Sequence, residues 1–305
     1  MDLSDSIKND DTSKVIQETC AACGKEGNSD DMNTCNKCRM VKYCNAACKK
    51  KHRSKHKKKC DRRVAELHDE QLFKEPPPSE ECPICMLPMP PSDQRTFKVC
   101  CGKLICNGCI HAIKIGEGKD LCPFCRTPPP RSDKEEIIRM KKLADNGNGI
   151  AVNSLALDYA HGIGGLPQDW AKAHELYLKA GELGCVEAYF NLGMSYDFGH
   201  GVEVDKKKAK HYYELAAIGG SPQARYNLGC DEGNTGNHER AMKHFIIAAK
   251  TGVERALKAV KKGYANGVVT KDEYASTLRA YHEWKKEMKS DERNNAAASG
   301  WYRSG

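Results

Sequence analysis

The stretch GCVEAYFNLGMSYDFGHGVEVDKKKAKHYYELAAIGG, residues 184–220, decides how the larger part of this chain folds. It holds two apolar-periodic segments joined by the glycine turn FGHGVEVD, the pattern of a helical hairpin. The pattern recurs. Gly147, Gly184, Gly220 and Gly252 each end one segment, and Ala151, Ala188, Ala224 and Ala256 each begin the next; both series are spaced 37, 36 and 32 residues. Leu155, Leu192 and Leu228 recur at 37 and 36, and Ala173, Ala209 and Ala241 at 36 and 32. Neither helix of such a hairpin can bury its apolar stripe alone, so successive hairpins stack into an α-solenoid. Gly193 and Gly229 inside the first helices cost about 1 kcal/mol each relative to alanine, and their recurrence predicts two backbones in close approach.

Working outward, the pattern L-G-x-x-Y, G-x-G-V-x-x-D, K-A and Y-x-x-A-A-x-x-G resembles the Sel-one-like repeats, a tetratricopeptide-related helical array. The resemblance covers residues 132–289, with three recognisable units and a last stretch, 256–289, that keeps the period but lacks the Leu-Gly motif, as a capping unit would. It implies a scaffold that holds a protein substrate or complex subunits. Residues 1–19 are polar and acidic, which predicts a disordered arm, and residues 290–305 are read as a disordered tail. Residues 61–81 are read as a linker: a short helix, then Pro76, Pro77 and Pro78, which end it and stiffen the connection.

The composition sets bounds on the rest. At 305 residues and 30% charged, the chain fits two or three modules better than one large core, and no apolar run approaches a membrane span of about 20 residues. No basic start followed by an apolar stretch opens the chain, so an intracellular protein, cytoplasmic or nuclear, is expected. Seventeen cysteines in such a chain read as metal ligands rather than disulfides, and fifteen of them lie between Cys20 and Cys125. Fifteen thiolates with four Zn²⁺ lower the formal net charge from +8 to +1, so the overall charge is no argument for nucleic acid. The basic run KKKHRSKHKKK, residues 49–59, reads as a solvated helix face or a balance for nearby thiolates; a nucleic-acid partner is not expected.

Residues 20–60 carry Cys20-x₂-Cys23-x₁₁-Cys35-x₂-Cys38-x₅-Cys44-x₃-Cys48-x₇-His56-x₃-Cys60. Eight ligands make two closed tetrahedral zinc sites with no position left for water or substrate, hence structural zinc. A segment this poor in large apolar side chains draws its folding free energy from the metal. The spacing, with Tyr43 before Cys44 and the closing H-x₃-C, resembles the MYND zinc finger. That resemblance implies an interleaved pairing: Cys20, Cys23, Cys44 and Cys48 on one zinc, and Cys35, Cys38, His56 and Cys60 on the other. His52 is a rival to His56. The resemblance also implies a peptide ligand for the module.

Residues 82–126 carry a second cluster, Cys82-x₂-Cys85-x₁₄-Cys100-Cys101-x₄-Cys106-x₂-Cys109-x₁₂-Cys122-x₂-Cys125. The motifs CPIC, CNGCI and CPFCR resemble the RING finger in an all-cysteine variant. By resemblance one zinc takes Cys82, Cys85, Cys106 and Cys109, and the other takes Cys100, Cys101, Cys122 and Cys125. Where most RING fingers have a histidine, this chain has Lys103. The ligands must then include adjacent Cys100 and Cys101, with His111 as an alternative. The family's ligases dock a ubiquitin-conjugating enzyme and orient its thioester, an effect of positioning. The positions that carry this contact correspond to Ile84, Ile113, Pro123 and Arg126.

The expected fold class is thus mainly α: a C-terminal α-solenoid of helical hairpins preceded by two small zinc-stabilised cross-brace modules holding four zinc ions. The expected function is a RING-type ubiquitin ligase that docks a ubiquitin-conjugating enzyme. Its rival is a non-enzymatic zinc-finger and repeat adaptor. A MYND-bearing methyltransferase is disfavoured, because the repeats leave no room for a β-rich catalytic domain. No nucleophile–base pattern appears, so no residue is assigned a catalytic role. Cys185 and Cys230, and the histidines at 161, 174, 200, 211, 238 and 244, read as packing or surface residues.

Overall fold

A computed structural model describes residues 17–117 and 120–300. The chain divides between Leu72 and Phe73 into two compact units. The arm expected over residues 1–19 falls mostly outside the described residues; residues 17–19 form a strand.

The first unit contains two short antiparallel ribbons and one long helix. Strand β1 (Gln17–Thr19) pairs with β2 (Glu26–Asn28), Glu18 opposite Gly27, and β3 (Asn33–Thr34) pairs with β4 (Lys42–Tyr43). Helix α1 (Ala46–Leu72) follows. Its buried core is Met32 and Tyr43 among the sulfurs of Cys20, Cys35, Cys38 and Cys60. The structure differs here from the expected linker at residue 61. No glycine or proline interrupts residues 46–72, and Arg63 bridges Glu66 and Glu70, so the helix runs straight through that boundary.

The second unit begins with a segment outside any helix or strand, residues 73–79, and a small cysteine-rich module. Strand β5 (Arg95–Lys98) pairs with β6 (Lys103–Cys106), Arg95 opposite Cys106, and helix α2 (Asn107–Glu117) follows directly. Ile105 and Met89 pack with Cys82, Cys106 and Cys109 as its core. Buried Asn107 accepts from the Thr96 hydroxyl at 2.7 Å and donates to the Asp93 carbonyl, fixing the start of α2 against the hairpin.

Next comes the helical array: α3 (Asp133–Asp145), α4 (Gly149–His161), α5 (Trp170–Glu182), α6 (Val186–Phe198), α7 (Lys206–Ile218), α8 (Pro222–Asn234), α9 (His238–Lys250), α10 (Glu254–Ala265) and α11 (Lys271–Glu287). Each neighbour packs on the next, as stacked hairpins require. Side-chain caps open most of them: Ser132, Asn148, Asp169, Asp205, Ser221 and Thr270 each accept an amide of the first turn. Ala151, Ala188, Ala224 and Ala256 are fully buried where helices cross closely.

Gly193 and Gly229 do sit at close approaches, but the partner is a ring and not a second backbone. A methyl on Gly193 would lie 2.4 Å from the Tyr213 ring, and one on Gly229 would lie 2.6 Å from the Phe245 ring. In these two hairpins the first helix thus leaves a hole that an aromatic side chain of the second helix fills.

Two further contacts tie the array to the cysteine-rich module. At the front, Phe97 and Val99 of the hairpin region enter the core of α3–α6, and Arg95 donates to Glu187 at 2.7 Å. At the back, helix α12 (Asp291–Ala298) packs on α2. This corrects the expectation of a disordered tail for residues 290–300; residues 301–305 lie outside the described residues. Ser290 caps the helix through the Arg293 amide, an alanine run favours it, and buried Arg293 anchors it. Among the described residues no helix is long and apolar enough to cross a membrane.

Candidate metal centres

Four Cys-x₂-Cys turns in this chain share one backbone shape. In each, the residue after the second cysteine has positive φ: Gly24 at 74°, Arg39 at 55°, Met86 at 56° and Arg126 at 58°. Each of these residues returns its amide to the carbonyl of the first cysteine, at 2.9–3.0 Å. This loop points two sulfurs to one side of the chain, as a shared ion requires. Arg39, Met86 and Arg126 are the non-glycine residues with positive φ among the described residues, and such a backbone costs roughly 1–2 kcal/mol in the absence of a constraint. The strain is concentrated at the knuckles.

The fifth pair, Cys106 and Cys109, sits at the junction of β6 and the first turn of α2. Cys44 and Cys48 are placed by β4 and the first turn of α1, and His56 and Cys60 lie one turn apart on the buried face of α1.

These elements bring sixteen ligand atoms into four groups, each with all atoms within 4.8 Å of one another. The groups are Cys20, Cys23, Cys44 and Cys48; Cys35, Cys38, His56 and Cys60; Cys82, Cys85, Cys106 and Cys109; and Cys100, Cys101, Cys122 and Cys125. In sequence the first two groups alternate, as do the last two, which is a cross-brace. Sulfur separations are 3.7 Å for Cys23–Cys44, 3.8 Å for Cys35–Cys60 and Cys85–Cys106, and 3.7 Å for Cys101–Cys122. Four sulfurs about 2.3 Å from one tetrahedral ion lie about 3.8 Å apart, so the cages have the dimensions of zinc sites. A disulfide needs about 2.05 Å, and all seventeen cysteines are free.

The acidities within each cage are spread. The Cys44 amide holds the Cys20 thiol down to about 6, whereas its hydrogen bond with Cys44 pushes Cys48 up to about 12. The Thr127 hydroxyl lowers Cys125 to about 6, and burial raises Cys100 beside it. Four thiolates this close repel, and a divalent cation is what allows all of them to stay ionised. The donor set fits Zn²⁺.

The rivals named from sequence lie elsewhere. His52 shares a 3.2 Å hydrogen bond between its Nδ1 and the Tyr43 hydroxyl, and its ring stacks on His56; it is in none of the four groups. His111 shares a hydrogen bond between its Nε2 and the hydroxyl of Ser299, the C-cap of α12, at 3.0 Å and is in none of the four groups. Adjacent Cys100 and Cys101 both reach that cage. Lys103, in the place of the expected histidine, sets its ammonium 4.3 Å above the Phe124 ring, a cation–π contact.

Of the four residues assigned to a conjugating enzyme, Ile84 is 37% exposed, Ile113 and Pro123 are half-buried and Arg126 is exposed. Ile113 lies five residues beyond Gly108, about 140° round α2. Gly108 meets Arg293 and His111 meets Ser299, so α12 covers the side of α2 opposite Ile113.

Sequence reasoning missed Arg293. It donates to the Cys85 sulfur, to the Pro88 carbonyl at 2.9 Å and to the Met288 carbonyl at 3.1 Å. The signal was local and faint: a Ser290 cap followed by acidic residues and an alanine run.

Residues 20–60 match the MYND finger, and residues 150–185, 186–221 and 222–253 match the Sel1 repeat. The chain is 35% identical over 100 residues to the ERAD-associated E3 ubiquitin-protein ligase component HRD3B of Arabidopsis thaliana, covering 32% of this chain and 15% of that protein. It is 39% identical over 62 residues to the putative sel1-like repeat-containing protein L21 of Acanthamoeba polyphaga mimivirus, covering 20% and 12%. The chain therefore spans less than a fifth of these curated relatives. Among solved structures, a Sel1 repeat protein from Oxalobacter formigenes is 27% identical, covering 49% of this chain and 64% of that one, with a TM-score of 0.43. The antigen c5321 of uropathogenic Escherichia coli, with an SLR fold, is 27% identical over 53% of this chain and 35% of its own, with a TM-score of 0.44. The MYND finger carries zinc binding with it, and both it and the Sel1 repeats are modules of protein–protein interaction.

Proposed function

We propose that this chain is a RING-type ubiquitin ligase holding four zinc ions, in which residues 82–126 dock a ubiquitin-conjugating enzyme. The MYND finger and the Sel1 array recruit protein partners. The supporting observation is the second cross-brace. It leaves Ile84 exposed inside its first knuckle and Arg126 exposed directly after its last cage, with α12 on the far side of α2. Such a module performs no bond chemistry. It would hold the conjugating enzyme's thioester in an attack-ready geometry, with Ile84, Ile113 and Pro123 giving an apolar seat and Arg126 a hydrogen-bonding fork. The relative HRD3B is an ERAD-associated E3 ubiquitin-protein ligase component, which agrees with this setting.

The second reading is the adaptor, which the MYND and Sel1 matches support without any ligase step. Purified protein is incubated with a panel of ubiquitin-charged conjugating enzymes, and zinc is counted by elemental analysis. The ligase predicts discharge by at least one enzyme, abolished by Ile84→Ala and Arg126→Ala at unchanged zinc content. Four zinc ions with no discharge across the panel assigns the adaptor. Three zinc ions point to a failure of the Cys100/Cys101 cage.

A further inference from the structure

The first residues of the second unit lie along its helical array like a bound peptide. The Phe73 ring packs on His244 at a tilt of 48° with centroids 4.7 Å apart, and the Arg240 guanidinium and Lys243 ammonium lie 5.1 and 5.5 Å from the same ring. Further along, Glu75 and Pro76 face Ile247, Lys250 and Thr251 across a cleft of about 220 Å³. Pro77 touches the backbone site of Gly220, whose φ is 101°; an added Cβ there would lie 3.4 Å from the proline ring.

The contacted residues fall at 240, 243, 244, 247 and 250 of α9 and at Thr251, which caps it, one stripe along the helix. The aromatic seat at 240–244 and the cleft at 247–251 are centred about 10 Å apart along the helix, and the three residue steps from Phe73 to Pro76 span about 9 Å in polyproline-type chain, so a peptide of that conformation bridges the two.

The fit is shallow. Phe73 and Pro76 are half-buried, and Lys74, Glu75 and Pro77 are exposed. Among the described residues, 75–79 make no backbone hydrogen bond to α9. Beneath the aromatic ring, His244 is fully buried with neither ring nitrogen hydrogen-bonded, and burial, aided by Arg225, lowers it to about 3. The floor of the aromatic seat is therefore an uncharged flat ring, with the cations on its rim. Consecutive prolines hold the chain extended beforehand, which lowers the entropy cost of lying in a groove.

We propose that residues 73–77 are an internal ligand occupying a peptide groove on α9. The groove accepts from another protein an extended segment with an aromatic residue followed, three or four positions later, by consecutive prolines. The internal strap and the incoming peptide compete for one seat. This holds whether or not residues 82–126 engage a conjugating enzyme, and its test uses none.

The probe is a fluorescein-labelled peptide of residues 71–80, QLFKEPPPSE, titrated into the full chain. Phe73→Ala vacates the aromatic seat and is expected to bind the peptide at least tenfold tighter than wild type does. The same peptide with alanine for phenylalanine does not bind, and adding Lys243→Glu weakens binding. A Pro76→Ser/Pro77→Ser chain loosens the strap without touching the seat. In that chain, excess peptide is expected to slow hydrogen exchange over residues 240–251. A folded Phe73→Ala chain that binds no tighter than wild type, or an unchanged exchange profile in the proline variant, overturns the proposal.

Discussion

The guanidinium of Arg293 reaches the sulfur of Cys85 at 3.7 Å, joining residues 208 positions apart. It brings a positive charge to a cage of four thiolates, and the thiolates of Cys106 and Cys85 in turn strengthen its hold on its proton. Removing it strips a buried anionic site of its neighbouring cation and α12 of its anchor.

Arg293→Leu is therefore expected to destabilise the second unit by about 2–3 kcal/mol, the scale of hydrogen bonds to charged groups. Hydrogen exchange over residues 291–298 and 107–117 should accelerate together. Arg293→Lys rescues little, since an ammonium cannot serve the sulfur and two carbonyls with one planar fork. Unchanged exchange in α2 would remove Arg293 from any role in bracing the module.

Left-handed backbone at Met86 and Arg39 sets up a second expectation. Met86→Gly and Arg39→Gly relieve the strain, and each is expected to raise stability by about 1 kcal/mol, with slower zinc loss to a chelator. Arg126→Gly relieves the same strain but removes the side chain. It is expected to keep its zinc and lose ubiquitin discharge, which separates the knuckle's backbone from the arginine's proposed contact.

Gly193→Ala places a methyl against the Tyr213 ring and is expected to cost about 1–3 kcal/mol in denaturant unfolding. Gly193→Ala with Tyr213→Leu should recover part of that loss. Equal stability of Gly193→Ala and wild type would mean the ring has room to move.

His244 gives the array an acid-side weakness. Its folded value of about 3 lies below the ordinary 6.5, so the unfolded chain binds the extra proton between those values. Its contribution is intact above pH 6.5 and falls as pH drops toward 3, by about 2 kcal/mol between pH 7 and 5. Arg225, Arg240 and Lys210 oppose protonation, while Glu232 favours it. Comparing the pH profile of melting for His244→Gln with wild type isolates this term; parallel profiles would refute it.

The array was legible because its helices obey a period, and a period survives without knowledge of neighbours: Ala151, Ala188, Ala224 and Ala256 are all buried as their spacing implies. The four cages were legible for the same kind of reason, since a tetrahedral ion constrains intervals along the chain. The partner of Gly193 was not, because a glycine signals closeness without naming what comes close. The straight run of α1 past residue 60 was obscured by reading the ligand cluster as a boundary, although nothing in its composition breaks a helix. Arg293 had no signal that pointed to Cys85, for a contact made once across two hundred residues leaves no repeat behind.

An ordinary stack of helical hairpins has two loose ends from which it can fray one unit at a time. Here Val99 enters the stack at one end while α12 returns to α2 from the other, so both ends terminate on the same small module. Unzipping from either terminus is suppressed, and the repeats inherit the fate of the cages. Stripping their ions should melt hairpins that contain not one ligand.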